Sequence, residues 1–195
     1  MIKQREIRTV SAEMRIMDAD GAPVKIMGHA ALFDTLSEDL GGFREKIKRS
    51  AFTQAILTDD VRALFNHDPN MVLGRNRAGT LHLTEDERGL AFVIDPPDTS
   101  FARDLVISLR RGDVSQMSFG FQTVTDTWDM MDGETIRTLI EVRLFDVSPV
   151  TYPAYPQTEA ALRSLEEFRN LSAANAQTDK GYLARMKMLT LQASV

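Results

Sequence analysis

The sequence contains no cysteine, and only three of its residues are histidines. Without a thiol, disulfide bonds, cysteine nucleophiles and thiolate metal sites are all excluded. The HExxH pattern, the Gly-rich phosphate loop and the GxSxG elbow are absent as well. These absences argue against a sequence-local zinc site, a P-loop nucleotidase and an α/β-hydrolase. We therefore expect no cofactor and no metal ion.

Long hydrophobic runs and an excess of positive charge are also missing. No apolar stretch approaches the roughly 20 residues of a membrane span, and residues 1–10 lack the apolar run of a signal peptide. The formal net charge is −5, whereas proteins that coat nucleic acid bind by neutralising phosphates. We expect neither a membrane nor nucleic acid as a partner. The 195 residues, 43% of them hydrophobic, fit one folded domain with an appended tail.

Short apolar or alternating segments predict a protein rich in β-strands. Residues 9–16 alternate apolar and polar side chains, which is typical of a half-buried strand, and the turn at 18–23 links them to a second strand. Asp132-Gly133 is a strong hairpin signal between two long strands. The predicted strands are residues 9–16, 24–33, 61–65, 80–84, 89–95, 115–128 and 135–147.

Helical periodicity is confined to a few segments. Residues 50–57 predict a short helix that Ser50 can cap, and residues 99–113 predict an amphipathic helix that begins at Thr99 and ends at Gly112. We expect an α+β, mainly antiparallel fold. Its form would be a small closed β-barrel of about seven strands with two or three flanking helices. A β-sandwich is the alternative.

The composition changes near residue 158, so we expect one β-rich domain over 1–157 and a separate tail over 158–195. Within the tail, 159–171 predicts a helix, 172–181 is a small, polar linker, and 182–195 predicts a second short helix. The amphipathic first helix favours packing on the domain. The linker favours a mobile, disposable end.

A serine hydrolase needs a hydroxyl that attacks, an imidazole that takes its proton and a group that orients the imidazole. His29 lies on a strand with one face towards the core, and His82 points to the solvent side of its strand. His67 lies where a strand meets a loop, because Pro69 cannot continue a ladder. On spacing alone, a surface-loop histidine remains the default interpretation of His67.

Two serines lie within six residues after the helix that ends at Gly112. Ser118 lies inside an apolar strand, where a buried hydroxyl needs a partner, whereas Ser115 lies in a polar junction and favours a turn or cap. An ordinary strand serine bonded to backbone is the competing interpretation of Ser118. Gly120 allows close approach of another group.

Six short segments together resemble the HK97-type phage prohead protease family, which is related in fold to herpesvirus assemblin. Each segment is weak alone, but the six occur in order over residues 25–157 and end in a distinctive block. They are FNHD (65–68), VLGR (72–75), GTL (79–81), RG (111–112), SFGF (118–121) and DVSPVTYPAY (146–155).

The resemblance implies a β-barrel serine endopeptidase with His67 as base, Ser118 as nucleophile and Asp146 as the third member. The family more often has Glu at the third position, and Asp is one methylene shorter. Glu141 is a second candidate on the same strand; the odd separation places it on the face opposite to Asp146. Arg110, Arg111 and the amides near Gly112 are candidate oxyanion donors by position only.

The resemblance also implies partners and a place of action. The expected substrates are the major capsid protein with its scaffolding segment, and the protease itself by autocleavage during capsid maturation and virion assembly. The expected location is the immature capsid (prohead) of a bacteriophage or phage-like particle, within the host bacterial cytoplasm, and a homo-oligomer is compatible with this role. The alternatives are a catalytically silent scaffold or interaction protein with the same fold, and an unrelated ligand-binding barrel.

Overall fold

The computed structural model of the chain describes residues 5–10, 14–18, 23–153 and 162–172. The chain divides into two compact units, Met1–Thr158 and Glu159–Val195. In the second unit the described residues form a helix over 162–172, close to the predicted 159–171. The predicted linker beyond residue 172 and the predicted helix over 182–195 lie outside the described residues. None of the helices in the described ranges is long and apolar enough to cross a membrane.

The described part of the first unit contains ten strands, two α-helices and one short 3₁₀ turn. The helices are α1 (Thr53–Thr58) and α2 (Ser100–Arg111), and the 3₁₀ turn is Asn76–Ala78. The strands are β1 (Glu6–Val10), β2 (Arg15–Met17), β3 (Lys25–Leu32), β4 (Arg44–Ile47), β5 (Arg62–Phe65), β6 (Asp68–Arg75), β7 (Leu81–Glu85), β8 (Gly89–Ile94), β9 (Gln116–Met131) and β10 (Glu134–Val150).

The larger sheet is mixed and is organised around β9 and β10. Its order is β1-β9-β10-β5-β6, and β4 also pairs with β10. β9 and β10 form the long antiparallel hairpin predicted from Asp132-Gly133, whose φ angles of 52° and 84° suit a two-residue turn. The other edge of β10 is shared by two parallel partners, first β4 and then β5. The sequence patterns did not predict β4 or these parallel pairings.

The smaller sheet has the order β2-β3-β8-β7 and is antiparallel throughout. The predicted hairpin of 80–84 with 89–95 is confirmed by β7 and β8, and the pairing of residues near 15 with residues near 27 is confirmed by β2 and β3. The single strand predicted over 9–16 is wrong, because its two ends belong to different sheets. Alternation shows which side chains turn inward, but not which sheet the backbone joins.

The closed barrel predicted from the sequence is wrong. Among the described residues the strands pair into two separate sheets, one ending at β1 and β6 and the other at β2 and β7. Both sheets contribute to one hydrophobic core, with Phe92 and Ile94 from the smaller sheet and Phe119 and Phe121 from the larger one. Turn sequences indicate which consecutive strands pair in a hairpin. They do not indicate whether the two outermost strands pair and close the sheet into a barrel.

The helices cover this core largely where they were predicted. Helix α2 ends at Gly112, whose φ of 81° is the left-handed conformation that favours glycine. Thr99 is the residue before α2, although its side chain makes no capping bond. Capping of α1 by Ser50 is wrong: the carboxylate of Glu85 accepts from the Phe52 amide at 3.0 Å and occupies the helix start instead.

Candidate active site

His67 lies in a two-residue turn between β5 and β6. Phe65 pairs with Asp68, and both Asn66 and His67 have left-handed backbone angles, with φ of 54° and 58°. Asn and His are among the residues that tolerate this conformation best, so the local sequence suits the turn. The prediction that His67 lies at a strand end is confirmed. Pro69 lies within β6, but the register passes from Asp68 to Val72 without pairing Pro69.

Asn66 fixes the turn against the end of β10. Its backbone N–H donates to the Pro149 carbonyl at 3.0 Å, and its side-chain oxygen accepts from the Thr151 amide at 2.9 Å. Its side-chain nitrogen donates to the Thr151 hydroxyl at 3.2 Å. The block VSPVT, at the end of the neighbouring parallel strand β10, therefore holds the histidine turn in place.

Ser118 lies on the face of β9 that is turned away from the hydrophobic core. Phe119 and Phe121 point into the core, so Ser118 and Gly120 share the other face. Ser118 is opposite Thr9 of β1 on one side and opposite Ser148 of β10 on the other. The serine is fully buried, at 0% exposure.

A β-bulge in β10 turns Asp146 onto the same face as Ser118. Leu144 is opposite Phe121 and Asp146 is opposite Gly120, so two steps on β10 match one step on β9. The bulge lets Leu144 and Val147 both enter the core, although three positions separate them. The buried carboxylate of Asp59 accepts from the freed Leu144 amide at 2.8 Å and stabilises the bulge.

The three side chains form one hydrogen-bonded row. Nε2 of His67 lies 2.7 Å from Oγ of Ser118, and Nδ1 of His67 bonds to Oδ2 of Asp146. With the ring proton on Nδ1, Nε2 is an acceptor aimed at the serine hydroxyl. This arrangement makes the hydroxyl a potential nucleophile with its base already in contact.

Asp146 is held in its ionised form although it is buried. Burial raises the pKa of the carboxyl, but the hydrogen bond and charge of His67, the charge of Arg5 and the bond from Ser148 lower it further, so the net pKa shift is downward. Asp146, rather than Glu141, is the carboxylate at the His67 ring. Residues 141 and 146 would lie on opposite faces of a regular strand, whereas β10 has register shifts between them.

Comparison with known proteins identifies a family and a similar fold. The family model for the caudovirus prohead serine proteases matches residues 10–171. The chain belongs to that family. The bacteriophage T4 capsid assembly protease, gp21, is a similar solved structure, with a TM-score of 0.52 and 15% sequence identity over 77% of this chain and 98% of that one. At this identity the likeness shows the fold alone. A search of curated protein sequences found no match.

The other candidate site residues that the sequence suggested lie away from this site in the chain. Arg110 and Arg111, expected as oxyanion donors, form exposed ion pairs with Asp18 and Asp113 at the end of α2. Nε2 of His29, on the smaller sheet, donates to the Asp86 carboxylate at 2.8 Å. His82 is exposed on β7, as predicted, and Ser115 is exposed just before β9.

Two residues at the site were missed by the sequence analysis. Ser148 donates to Oδ2 of Asp146 at 2.8 Å, and Arg5 donates to Oδ1. Ser148 could have been noticed, because it lies within the family segment DVSPVTYPAY. That segment does not indicate which group its hydroxyl contacts. Nothing in the sequence indicated Arg5, because 141 positions separate it from Asp146 and it precedes the residues that the family model matches.

Proposed function

We propose that this chain is a serine endopeptidase that cleaves the major capsid protein and its scaffolding segment inside the prohead, and that it also cleaves itself. The observation that supports this proposal most directly is the 2.7 Å contact between Ser118 Oγ and His67 Nε2, backed by Asp146 on the far side of the ring. A non-catalytic scaffold would not need a buried carboxylate, an imidazole and a hydroxyl in series.

The proposed reaction proceeds in two halves. His67 Nε2 takes the proton from Ser118 as Oγ attacks the scissile carbonyl, and the resulting imidazolium gives that proton to the leaving amine. The acyl group remains on Oγ until a water, deprotonated by the same nitrogen, releases it as a carboxylic acid. Asp146 keeps the ring oriented and stabilises the imidazolium without taking its proton.

Co-expression with the major capsid protein of the same particle tests the proposal. The chains to compare are the wild type, Ser118→Ala and Ser115→Ala, with the intact mass of both proteins as the readout. Ser115 is the matched control, because it is an exposed serine three positions away on the same stretch. We expect the capsid protein to be shortened by the wild type and by Ser115→Ala.

For Ser118→Ala we expect no shortening, since loss of a serine nucleophile costs on the order of 10⁶-fold in kcat. Shortening by both serine variants would assign the nucleophile to another residue. Shortening by none of the three chains in assembled shells would favour the silent scaffold instead.

A further inference from the structure

The carboxylate of Asp146 is engaged by more groups than the Ser–His–Asp row requires. Its Oδ2 accepts from both His67 Nδ1 and the Ser148 hydroxyl, and its Oδ1 accepts from Arg5. The proposed chemistry uses the first of these bonds alone. One of the other two comes from Ser148 on β10 itself and the other from Arg5, just before β1. They act on different oxygens, so together they restrict rotation of the carboxylate about its terminal bond.

Ser148 is suited to this role by its burial and its place on β10. It lies two residues after Asp146, is 0% exposed and is the cross-strand partner of Ser118. A serine hydroxyl has one proton, and an ionised carboxylate can only accept, so the 2.8 Å contact commits that proton to Oδ2. Leaving a buried hydroxyl next to this oxygen without that bond would be costly, so the contact is held by its surroundings.

Arg5 reaches the other oxygen across the space above Gly120. A Cβ atom at Gly120 would lie 2.7 Å from Nη2 and 2.8 Å from Nε of Arg5, so the guanidinium occupies the volume that a side chain there would fill. The guanidinium also lies 5.8 Å from the ring centre of Phe145, the residue that forms the bulge. Arg5 is thus fixed by contacts with β9 and β10 although its side chain is 46% exposed.

We propose that Arg5 and Ser148 are positioning residues that hold the Asp146 carboxylate with Oδ2 facing His67 Nδ1. The inference rests on the proposed function, because it assigns these residues a part in activating Ser118. Neither residue contacts the reacting hydroxyl, so both act through Asp146 and His67. Removing either one frees the carboxylate to turn and lowers the fraction of time that the imidazole is correctly aimed.

The test measures how fast a fluorophosphonate labels Ser118, at reagent concentrations where the rate is first order, as a function of pH. The variants are Ser148→Ala and Ser148→Thr, which keeps a hydroxyl, and Arg5→Met and Arg5→Lys, which keeps a charge. The controls are Ser108→Ala, on an exposed face of α2, and Arg49→Met, from an exposed pair with Asp34. The resonance of the His67 Nδ1 proton is recorded for each folded variant.

We expect labelling to fall about tenfold in Ser148→Ala and in Arg5→Met, with Ser148→Thr and Arg5→Lys recovering part of the loss. Both losses should come with a changed pH profile of labelling and with a displaced Nδ1 proton resonance, which a purely structural role would not produce. Because both residues act on one carboxylate, the double variant should lose less than the product of the two single losses. The controls should match the wild type.

Different negative results would overturn the positioning role and the proposed protease function. If Ser118→Ala abolishes labelling but Ser148→Ala and Arg5→Met keep the wild-type rate, pH profile and proton resonance, the positioning role is overturned and the protease proposal stands. If the wild type is neither labelled at Ser118 nor able to shorten the capsid protein, the protease proposal fails and the positioning role falls with it. Arg5 is half-exposed, so Arg5→Met keeps the test decisive even if Ser148→Ala does not fold.

Discussion

Gly120 and Asp146 are cross-strand partners on β9 and β10, and a Cβ atom at Gly120 would lie 2.5 Å from Oδ1 of Asp146. That separation is far shorter than a normal non-bonded contact. Glycine is therefore needed here for the room it leaves, since Gly120 does not have a positive φ. Because Gly120 of the segment SFGF has no side chain, the Asp146 carboxylate and the Arg5 guanidinium can occupy the space beside Ser118.

Gly120→Ala should impair the site more than the fold. The added methyl group must displace Asp146 or Arg5, and a misplacement of about 1 Å in an active site can cost about 10²-fold in rate. We expect a loss of that order in capsid-protein cleavage, with about 1–3 kcal/mol lost from the free energy of unfolding. Gly79→Ala is the control, because its Cβ meets nothing within 4 Å while its φ of 73° strains the backbone. Gly79→Ala should lower stability alone; equal activity losses in both variants would contradict the steric explanation.

Asp146→Asn should remove most of the activity while preserving the shape of the site. An amide presents a nitrogen donor as well as an oxygen, so it no longer enforces the ring tautomer in which Nε2 accepts from Ser118. The equivalent change in a well-studied serine protease lowers kcat by about 10⁴-fold, and we expect a similar order here. Asp98→Asn, at an exposed pair with Arg103, is the control and should leave cleavage unchanged. Wild-type cleavage by Asp146→Asn would remove Asp146 from the mechanism.

The protein should lose stability in acid through two buried carboxylates. Burial raises the pKa of Glu6, but the charge and hydrogen bond of Arg137 and further polar contacts lower it more, and the pKa of Asp146 is also lowered. A group with a lowered folded pKa stabilises the protein above its unfolded pKa, and this contribution is lost as pH falls through the folded value. Urea unfolding should therefore show steady stability above about pH 5 and a decline below the ordinary values of 3.8 and 4.5. Equal stability at pH 5 and pH 3 would contradict the shifts.

The three residues of the candidate site could be predicted from the sequence, but the strand pairings and contacts that bring them together could not. The position of His67 at a strand end and of Ser118 within an apolar strand followed from local patterns, and the family resemblance singled out Asp146. What those patterns could not show was the bulge at Phe145, since an extra residue changes which side chains share a face only once the partner strand is known. The parallel pairings of β10 with β4 and β5 and the reach of Arg5 to Asp146 depend on contacts between distant parts of the chain.

Arg137→Met should destabilise the fold strongly. The Arg137 side chain is 1% exposed and donates to Glu6 at 2.8 Å and to Glu45 at 3.0 Å, which joins β10 to β1 and β4. Removing it leaves the two buried carboxylates sharing the Arg8 guanidinium. Loss of one member of a buried ionic network typically costs about 3–5 kcal/mol in the free energy of unfolding. Arg49→Met breaks a pair in which both side chains are more than half exposed and should cost about 1 kcal/mol or less. Similar midpoints for the two variants in urea would show that the buried network contributes little.

Access to Ser118 should limit its reactivity in the free protein. The serine has no exposed surface, and its hydroxyl lies 3.0 Å from the Arg8 carbonyl of β1 as well as against His67. The hydroxyl has one proton, so a bond to the Arg8 carbonyl competes with transfer of that proton to Nε2. An attacking reagent must wait for the site to open, so the rate of fluorophosphonate labelling should level off as the reagent concentration is raised.

The same closed site should make the isolated enzyme slow on a free peptide in dilute solution, and faster inside assembled shells, where protease and capsid protein are concentrated together. The measurements are the labelling rate over a wide range of reagent concentrations and peptide cleavage at low enzyme concentration. Labelling that stays proportional to reagent throughout, together with full peptide activity at low enzyme concentration, would mean that Ser118 is open in the free protein. A plateau shared by the wild type and Arg49→Met would identify the opening step as a property of the site rather than of the surface.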